Sequence, residues 1–120
     1  MLQFTSNLSI TTLAAMSTAA DFETWHDKRK KTVFLKIDGE DQAAFVQYEK
    51  EGKTLDLYHS FVPEHLRGRG HGRVLAREAV RLLIKDGNSL KLSCSYLQLY
   101  FNRHAEQDLT EEQREKCSLH

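Results

Sequence analysis

The sequence predicts one α+β domain in which an antiparallel meander of short strands leads into a βαβ unit. Three observations carry that expectation. Four stretches of strand-like residues with regularly spaced turn signals precede the single proline. A stretch of period 3.6 follows a glycine-rich loop, and a further short apolar stretch lies beyond it. A chain of 120 residues has room for one such domain, and a chain of that size buries roughly two-thirds of its unfolded surface.

In order, residues 22–26 form the first expected strand, and the charged residues 27–31 turn the chain. Residues 32–38 (Thr-Val-Phe-Leu-Lys-Ile-Asp) form the second, closed by Gly39. Residues 43–48 form the third, and Glu51-Gly52-Lys53 is a hairpin loop. Residues 54–62 form the fourth, which Pro63 stops because proline cannot donate to a ladder. Over residues 72–86 the rhythm is helical. Leu75, Ala79, Leu82 and Leu83 share one face, while Arg73, Arg77, Arg81 and Lys85 form the opposite, solvated stripe. Gly87 ends this helix. Residues 90–95 form the fifth strand and residues 96–104 a second helix. Strand, helix and strand across residues 54–95 require strands four and five to be parallel.

The flanks read differently. Residues 1–20 carry no charge and are rich in Ser and Thr, without the basic start of a secretory signal or the arginines of a mitochondrial leader. They are expected to be a disordered leader to a domain spanning 21–105. Residues 106–120 hold five acids against two bases and are expected to be a charged tail, with 111–119 able to continue as a helix.

Composition narrows the function. Seventeen Lys+Arg balance seventeen Asp+Glu, which argues against a nucleic-acid binder. No apolar run approaches the ~18 residues of a membrane span. Two cysteines, Cys94 and Cys117, make no disulfide scaffold, so a reduced intracellular protein, cytoplasmic or nuclear, is expected. The histidines show no metal-ligand spacing, so no metal is expected. A monomer is expected.

The most informative stretch is Leu66-Arg67-Gly68-Arg69-Gly70-His71-Gly72-Arg73, placed between a strand end and a helix start. Glycines there admit unusual dihedrals and close approach of a ligand. The unpaired N–H groups of the helix start and its dipole favour an anion. Arg67, Arg69 and Arg73 add charge-assisted donors, and His71 is expected to serve through its backbone. The loop has neither the Gly-Lys-Ser/Thr of a P-loop nor the Gly-x-Gly-x-x-Gly of a dinucleotide fold.

Arg67-x-x-Gly70-x-Gly72 resembles the pyrophosphate-binding signature Arg/Gln-x-x-Gly-x-Gly/Ala of the GNAT superfamily of acyl-CoA-dependent N-acetyltransferases, and the element order resembles that fold. Val62-Pro63, Leu66-Arg67-Gly68-Arg69-Gly70 and Cys94-Ser95-Tyr96 are similar to a small branch of the superfamily. The resemblance spans roughly residues 22–104. It implies a minimal GNAT-like mixed sheet with splayed parallel strands. It also implies acetyl-CoA as co-substrate, contacted by Phe61, Val62, Arg67, Gly68, Arg69, Gly70, His71, Gly72 and Arg73, and a primary amine as acceptor, on a small molecule, a protein lysine or a protein N-terminus. Larger members carry helices between strands one and two and strands after the second helix; neither is expected here.

His59 and Cys94 lie near the carboxyl ends of neighbouring strands, ~4.8 Å apart, so both could reach one pocket. A bulge would change which face each one takes. In the small branch, residues matching His59 and Cys94 are catalytic candidates. His59 has the pKa range of a base, and Cys94 could carry the acetyl group; direct transfer in a ternary complex is the expected route. The resemblance places a tyrosine that protonates the leaving thiolate on the second helix, at Tyr100, with Tyr96 as the alternate. Ordinary packing is the competing reading for each of the four. The expected function is N-acetyl transfer, and the alternative is a non-catalytic CoA-binding or interaction module on the same fold.

Overall fold

The structure, a computed structural model, describes residues 21–119; the expected leader at 1–20 lies outside them. Its strands are β1 (Phe22–Asp27), β2 (Thr32–Ile37), β3 (Ala44–Glu51), β4 (Thr54–Phe61), β5 (Ser89–Leu92) and β6 (Cys117–Leu119). The helices are α1 (His71–Lys85), α2 (Ser95–Asp108) and α3 (Glu111–Glu115), and a single 3-10 turn, Glu64–Leu66, follows β4. The strands form one six-stranded sheet in sequence order. β1 to β4 are antiparallel neighbours, and β5 and β6 add in parallel. The expected α+β fold, meander then βαβ unit, is present.

Alternation sorts the two sheet faces. Val33, Leu35 and Ile37 of β2, Ala44, Val46 and Tyr48 of β3, Leu55 and Leu57 of β4, and Leu90 and Leu92 of β5 are all buried. Against them lies the apolar face of α1, with Leu75, Ala79, Val80 and Leu83 buried. α1 packs on β2, β3 and β5, and α2 packs on α1 and β5. Each fully buried aliphatic side chain contributes about 1.5–3 kcal/mol. The other face, carrying Trp25, Phe34 and Phe45, is only half-buried to exposed across the first strands, apart from Thr32.

Two expectations are corrected. The fifth strand stops at Leu92, and Cys94 is the N-cap of α2, not a strand residue. The stretch from residue 106, expected as a solvated tail, is folded: α2 runs to Asp108, Leu109 is 4% exposed, and β6 pairs with β5 from Leu90↔Cys117 to Leu92↔Leu119. Thr110 and Gln113 form a reciprocal capping box that starts α3. The acids counted as a solvated run include Asp108, whose side chain is 8% exposed and bonded to Arg73. A strand after the second helix is therefore present.

Leu109 is an apolar anchor of this segment. Leu109→Ala is expected to lower unfolding free energy by about 2–4 kcal/mol, read from urea denaturation. Stability within 0.5 kcal/mol of the parent, roughly the scatter of surface changes, would show that the segment packs less firmly than described.

Candidate functional site

β4 and β5 share a ladder only from Thr54↔Ser89 to Leu57↔Leu92. Past that point one carbonyl, Leu57 O, accepts from both Ser93 N (3.1 Å) and Cys94 N (3.0 Å). Residues 58–61 of β4 then continue with no partner on β5, which leaves a wedge between the two strands. On the other side, β4 pairs with β3 through an irregularity: Tyr48 faces Leu57 but Gln47 faces His59, so Tyr58 is the extra residue of a bulge.

That bulge decides which side chains meet. Ser60 pairs with buried Val46 and takes the helix-covered face, where its hydroxyl lies 3.3 Å from the Cys94 thiol. His59 pairs with Gln47 and takes the open face, where its ring lies 5.9 Å from that of Phe45. The structure therefore brings Cys94 to Ser60 and places His59 on the opposite side of β4.

The glycine loop closes the wide end of the wedge. Gly68 and Gly70 have φ of +79° and +87°, values at which a side chain is strained. Gly70 is the N-cap of α1 and supplies no capping side chain. The first intrahelical bond runs from Val74 N to Gly70 O, so the amides of His71, Gly72 and Arg73 have no acceptor within the helix. His71 does more than lend its backbone: it is buried, and its Nδ1 pairs with the Leu66 carbonyl at 3.1 Å, tying the two ends of the loop. Arg67 Nε donates to the Val62 carbonyl at 2.8 Å, with the guanidinium 5.9 Å from the Phe61 ring centre.

Arg73 departs from the solvated role its stripe suggested. Its Nε and Nη2 form a two-pronged ion pair with Asp108, at 3.0 and 2.8 Å, and Nη2 also donates to Gln107. The Tyr100 hydroxyl donates to the same carboxylate at 3.1 Å. The Arg73 hydrogen bond, more than any other influence, holds the Asp108 carboxyl below the usual range. Burial first, then Asp108, push the Tyr100 hydroxyl far above its ordinary value.

A cavity of about 720 Å³ occupies the wedge, lined among others by Ser60, Phe61, Val62, Arg67, Gly70 and Tyr96. Gly68, Gly72, Arg73 and His104 complete the wall. Of the two tyrosines, Tyr96 lines the cavity, whereas Tyr100 is 2% exposed with its hydroxyl committed to Asp108. Burial also raises the Tyr96 hydroxyl above its ordinary pKa, with Cys94 adding to the shift. Ser60 and His104 were not anticipated. Spacing held the signal for His104: Tyr96, Tyr100, His104 and Asp108 recur at i+4 and share one face of α2. Ser60 was hidden by the bulge. Among the described residues, no cluster of His, Cys, Asp and Glu could hold a metal, and both cysteines are free.

Comparison with known proteins reaches the same region. A family model described as GCN5-related N-acetyl-transferase matches residues 32–109, which hold the loop, α1 and α2. Protein NATD1 of Xenopus tropicalis is 32% identical over 89 residues, covering 73% of this chain and 82% of that protein. Protein NATD1 of Homo sapiens is also 32% identical over 89 residues, covering 73% and 79%. Protein NATD1 of Danio rerio is 34% identical over 76 residues, covering 62% and 69%.

Gly72 serves a contact within the protein. A methyl group at this position would collide with the Tyr96 hydroxyl. Gly72→Ala is expected to cost about 1–3 kcal/mol of stability, as overpacking does, and Tyr96→Ala in the same chain should recover most of that loss. Equal losses in the single and double variants, measured by thermal unfolding, would exclude this contact as the cause.

Proposed function

The chain belongs to the GCN5-related N-acetyltransferase family, and from that membership and the cleft geometry we propose that it transfers an acetyl group from acetyl-CoA to a primary amine. One observation supports this reading above the others. A loop with two left-handed glycines brings unpaired helix amides, Arg67 and Arg73 to the mouth of a cavity that runs along the wedge between β4 and β5, and Arg69 does not line it. That donor set suits a pyrophosphate, and the apolar wall of Phe61 and Val62 suits a pantetheine arm.

Acetyl-CoA supplies an acyl thioester, and the chain supplies orientation and proton handling. The free amide edge of β4 along residues 58–61 aligns the arm. A lysine amine of pKa ~10.4 needs about 4.6 kcal/mol to become neutral at pH 7, so a base raises the reactive fraction. His59 is the imidazole available to an amine approaching from the open face of the sheet. Tyr96 is the proton donor to the departing thiolate: burial keeps its hydroxyl protonated through the working pH range. Tyr100 acts indirectly, fixing Asp108 and through it Arg73. A Cys94 nucleophile would need a neighbouring base, and the bulge turns His59 away from it. Direct transfer therefore fits better than an acetyl-cysteine intermediate.

CoA is expected to raise the melting temperature, since a ligand at a hundred times its Kd adds about 2.7 kcal/mol. Gly70→Val should abolish that protection; a folded variant that keeps it would remove the loop from the assignment. Thiol release from acetyl-CoA on adding an amine separates an enzyme from a CoA-binding module, which would show the protection alone.

Tyr96→Phe should lower turnover about 100-fold or more, while Tyr100→Phe should act chiefly on stability and CoA affinity. Activity should rise with pH as the acceptor amine loses its proton, with no falling limb until above about pH 10, because the raised Tyr96 pKa delays loss of the donor proton. A falling limb near pH 8 would assign proton donation to another group. Intact mass after acetyl-CoA alone should show no Cys94 adduct that amine then discharges at the turnover rate.

A further inference from the structure

The open sheet face carries an aromatic platform that the proposed reaction does not use. Trp25, Phe34, Phe45 and Phe61 stand opposite one another on β1, β2, β3 and β4, one ring per strand. They form two stacked pairs, Trp25 on Phe34 at 4.9 Å and Phe45 on Phe61 at 5.3 Å. The pairs meet at a steep angle between Phe34 and Phe45, whose ring centres lie 6.2 Å apart. Beside that joint a hollow of about 350 Å³ opens, lined by Lys30, Thr32, Phe34, Phe45 and Gln47. Its volume is at the small end of ligand pockets, which run ~300–1,000 Å³. Trp25 is 42% exposed, and its face turned away from Phe34 has no ring partner among the described residues.

Charge is sorted to the two sides of the row. On the side of the β1–β2 turn stand Lys28, Arg29, Lys30 and Lys31, all exposed. Lys31 pairs with Glu49 at 3.3 Å, and the other three side chains have no acidic partner among the described residues. The acid of that turn, Asp27, accepts from the Lys30 backbone amide at 3.0 Å, so three free cations face one carboxylate. On the far side lie the acids of the β2–β3 loop, where Glu40 pairs with His65 at 2.8 Å, and Glu23, which faces Lys36 across the ladder. The Gln47 carboxamide, on the basic side, has no hydrogen-bond partner among the described residues.

We propose that this face binds single-stranded nucleic acid, with bases stacked on the aromatic row and phosphates held by Lys28, Arg29 and Lys30. Every nucleobase has a π face, and aromatic side chains on a sheet accept such faces without regard to sequence. Three strand spacings of ~4.8 Å make the row about 14 Å long, enough for two or three bases. The hollow gives one base an aromatic wall in Phe34 and Phe45 and a carboxamide for its edge in Gln47. Lys30, on the same rim, meets the adjoining phosphate. A basic partner would be repelled by the turn, and an acidic peptide would satisfy the charge but leave the stacking surface unused. Zero net charge argues against a chain that grips nucleic acid over its whole surface; here rings and bases are gathered into one patch. The proposal goes beyond acetyl transfer, and of the row only Phe61 also lines the cavity of the wedge.

Trp25 is the one tryptophan, so its emission reports this surface directly. The full chain is titrated with a ten-nucleotide adenine-rich RNA, the same strand annealed to its complement, a glutamate-rich peptide of ten residues, and AMP. Saturable quenching is expected with the single strand alone. Polarisation of the labelled strand gives Kd, and log Kd should rise against log salt with a slope of about 2, as release from three phosphates requires. Lys28→Gln with Arg29→Gln and Lys30→Gln, all at exposed positions, should remove most of that slope. Phe34→Ala should raise Kd about tenfold; if that variant fails to fold, the triple substitution on the turn still decides. No quenching by the single strand, an equal response to the duplex or the acidic peptide, or a slope unchanged in the triple variant would overturn the proposal. AMP binding as tightly as the ten-nucleotide strand would overturn the strand in favour of a single nucleotide. Saturating CoA should leave the RNA bound; displacement would place the RNA at the glycine loop and overturn the sheet-face assignment. Heat protection by CoA and thiol release with an amine are scored separately, so their failure removes the acetyltransferase reading and leaves this one standing.

Discussion

The separation of β5 from β4 after Leu57 is the constraint on which the site depends. One carbonyl ends the ladder by taking both the Ser93 and Cys94 amides, and the chain then turns into α2 with Cys94 as its cap. A strand that continued to residue 95 would have paired with residues 58–61 and closed the space. Instead four residues of β4 keep one backbone edge free, at a general cost that a sheet accepts only where something else occupies the gap. Here the occupants among the described residues are side chains from both walls, Ser60 against Cys94 and Tyr96 against the first turn of α1. The close fit at Gly72 shows how tightly α1 and α2 are drawn together beside the glycine loop.

Asp108 couples that cavity to the end of the chain. Its carboxylate receives two bonds from Arg73 and one from Tyr100, so the last turn of α2 fixes the first turn of α1. Charged hydrogen bonds of this kind are roughly twice as strong as neutral ones, and the side chain that accepts them is nearly inaccessible. Removing it would leave Arg73 free but unpositioned beside the glycine loop. The folded segment from Leu109 to β6 keeps the end of α2 in place, which gives an acidic, sequence-distant stretch a structural bearing on the glycine loop.

Much of this was legible from residue order. The strand rhythm, the α1 stripe, Gly70 at the helix start and the arginine-rich loop all follow from local chemistry that a sequence displays directly. The lost information has specific causes. Places near the ends of neighbouring strands allowed His59 and Cys94 to reach one pocket, and a single extra residue, Tyr58, set the face of everything after it; bulges leave no dependable mark in sequence. Counting acids after residue 105 hid a Thr110-Glu111-Glu112-Gln113 capping box and the buried Leu109, both local signals that were present. Arg73 looked solvated because its partner lies thirty-five residues away. The choice between Tyr96 and Tyr100 turned on one helical turn, and spacing of four places both on the same face of α2, so only depth in the fold separates them.

A zero net charge conceals a division that the fold then exploits. The seventeen positive and seventeen negative groups cancel in sum, yet the loop before α1 concentrates arginines, the β2–β3 turn concentrates carboxylates, and the β1–β2 turn concentrates bases at residues 28–31. Fields of opposite sign on the two sides of a cleft persist over about a Debye length, ~8–10 Å at physiological salt. The arginine-bearing loop opens on the cavity beside Ser60, whereas His59 stands on the open side of β4. The bulge at Tyr58 is the feature that puts that imidazole on the opposite side of the strand from Cys94. The same residue shift that separates the histidine from Cys94 brings Ser60 onto the thiol's face, where its hydroxyl lies 3.3 Å from the sulfur.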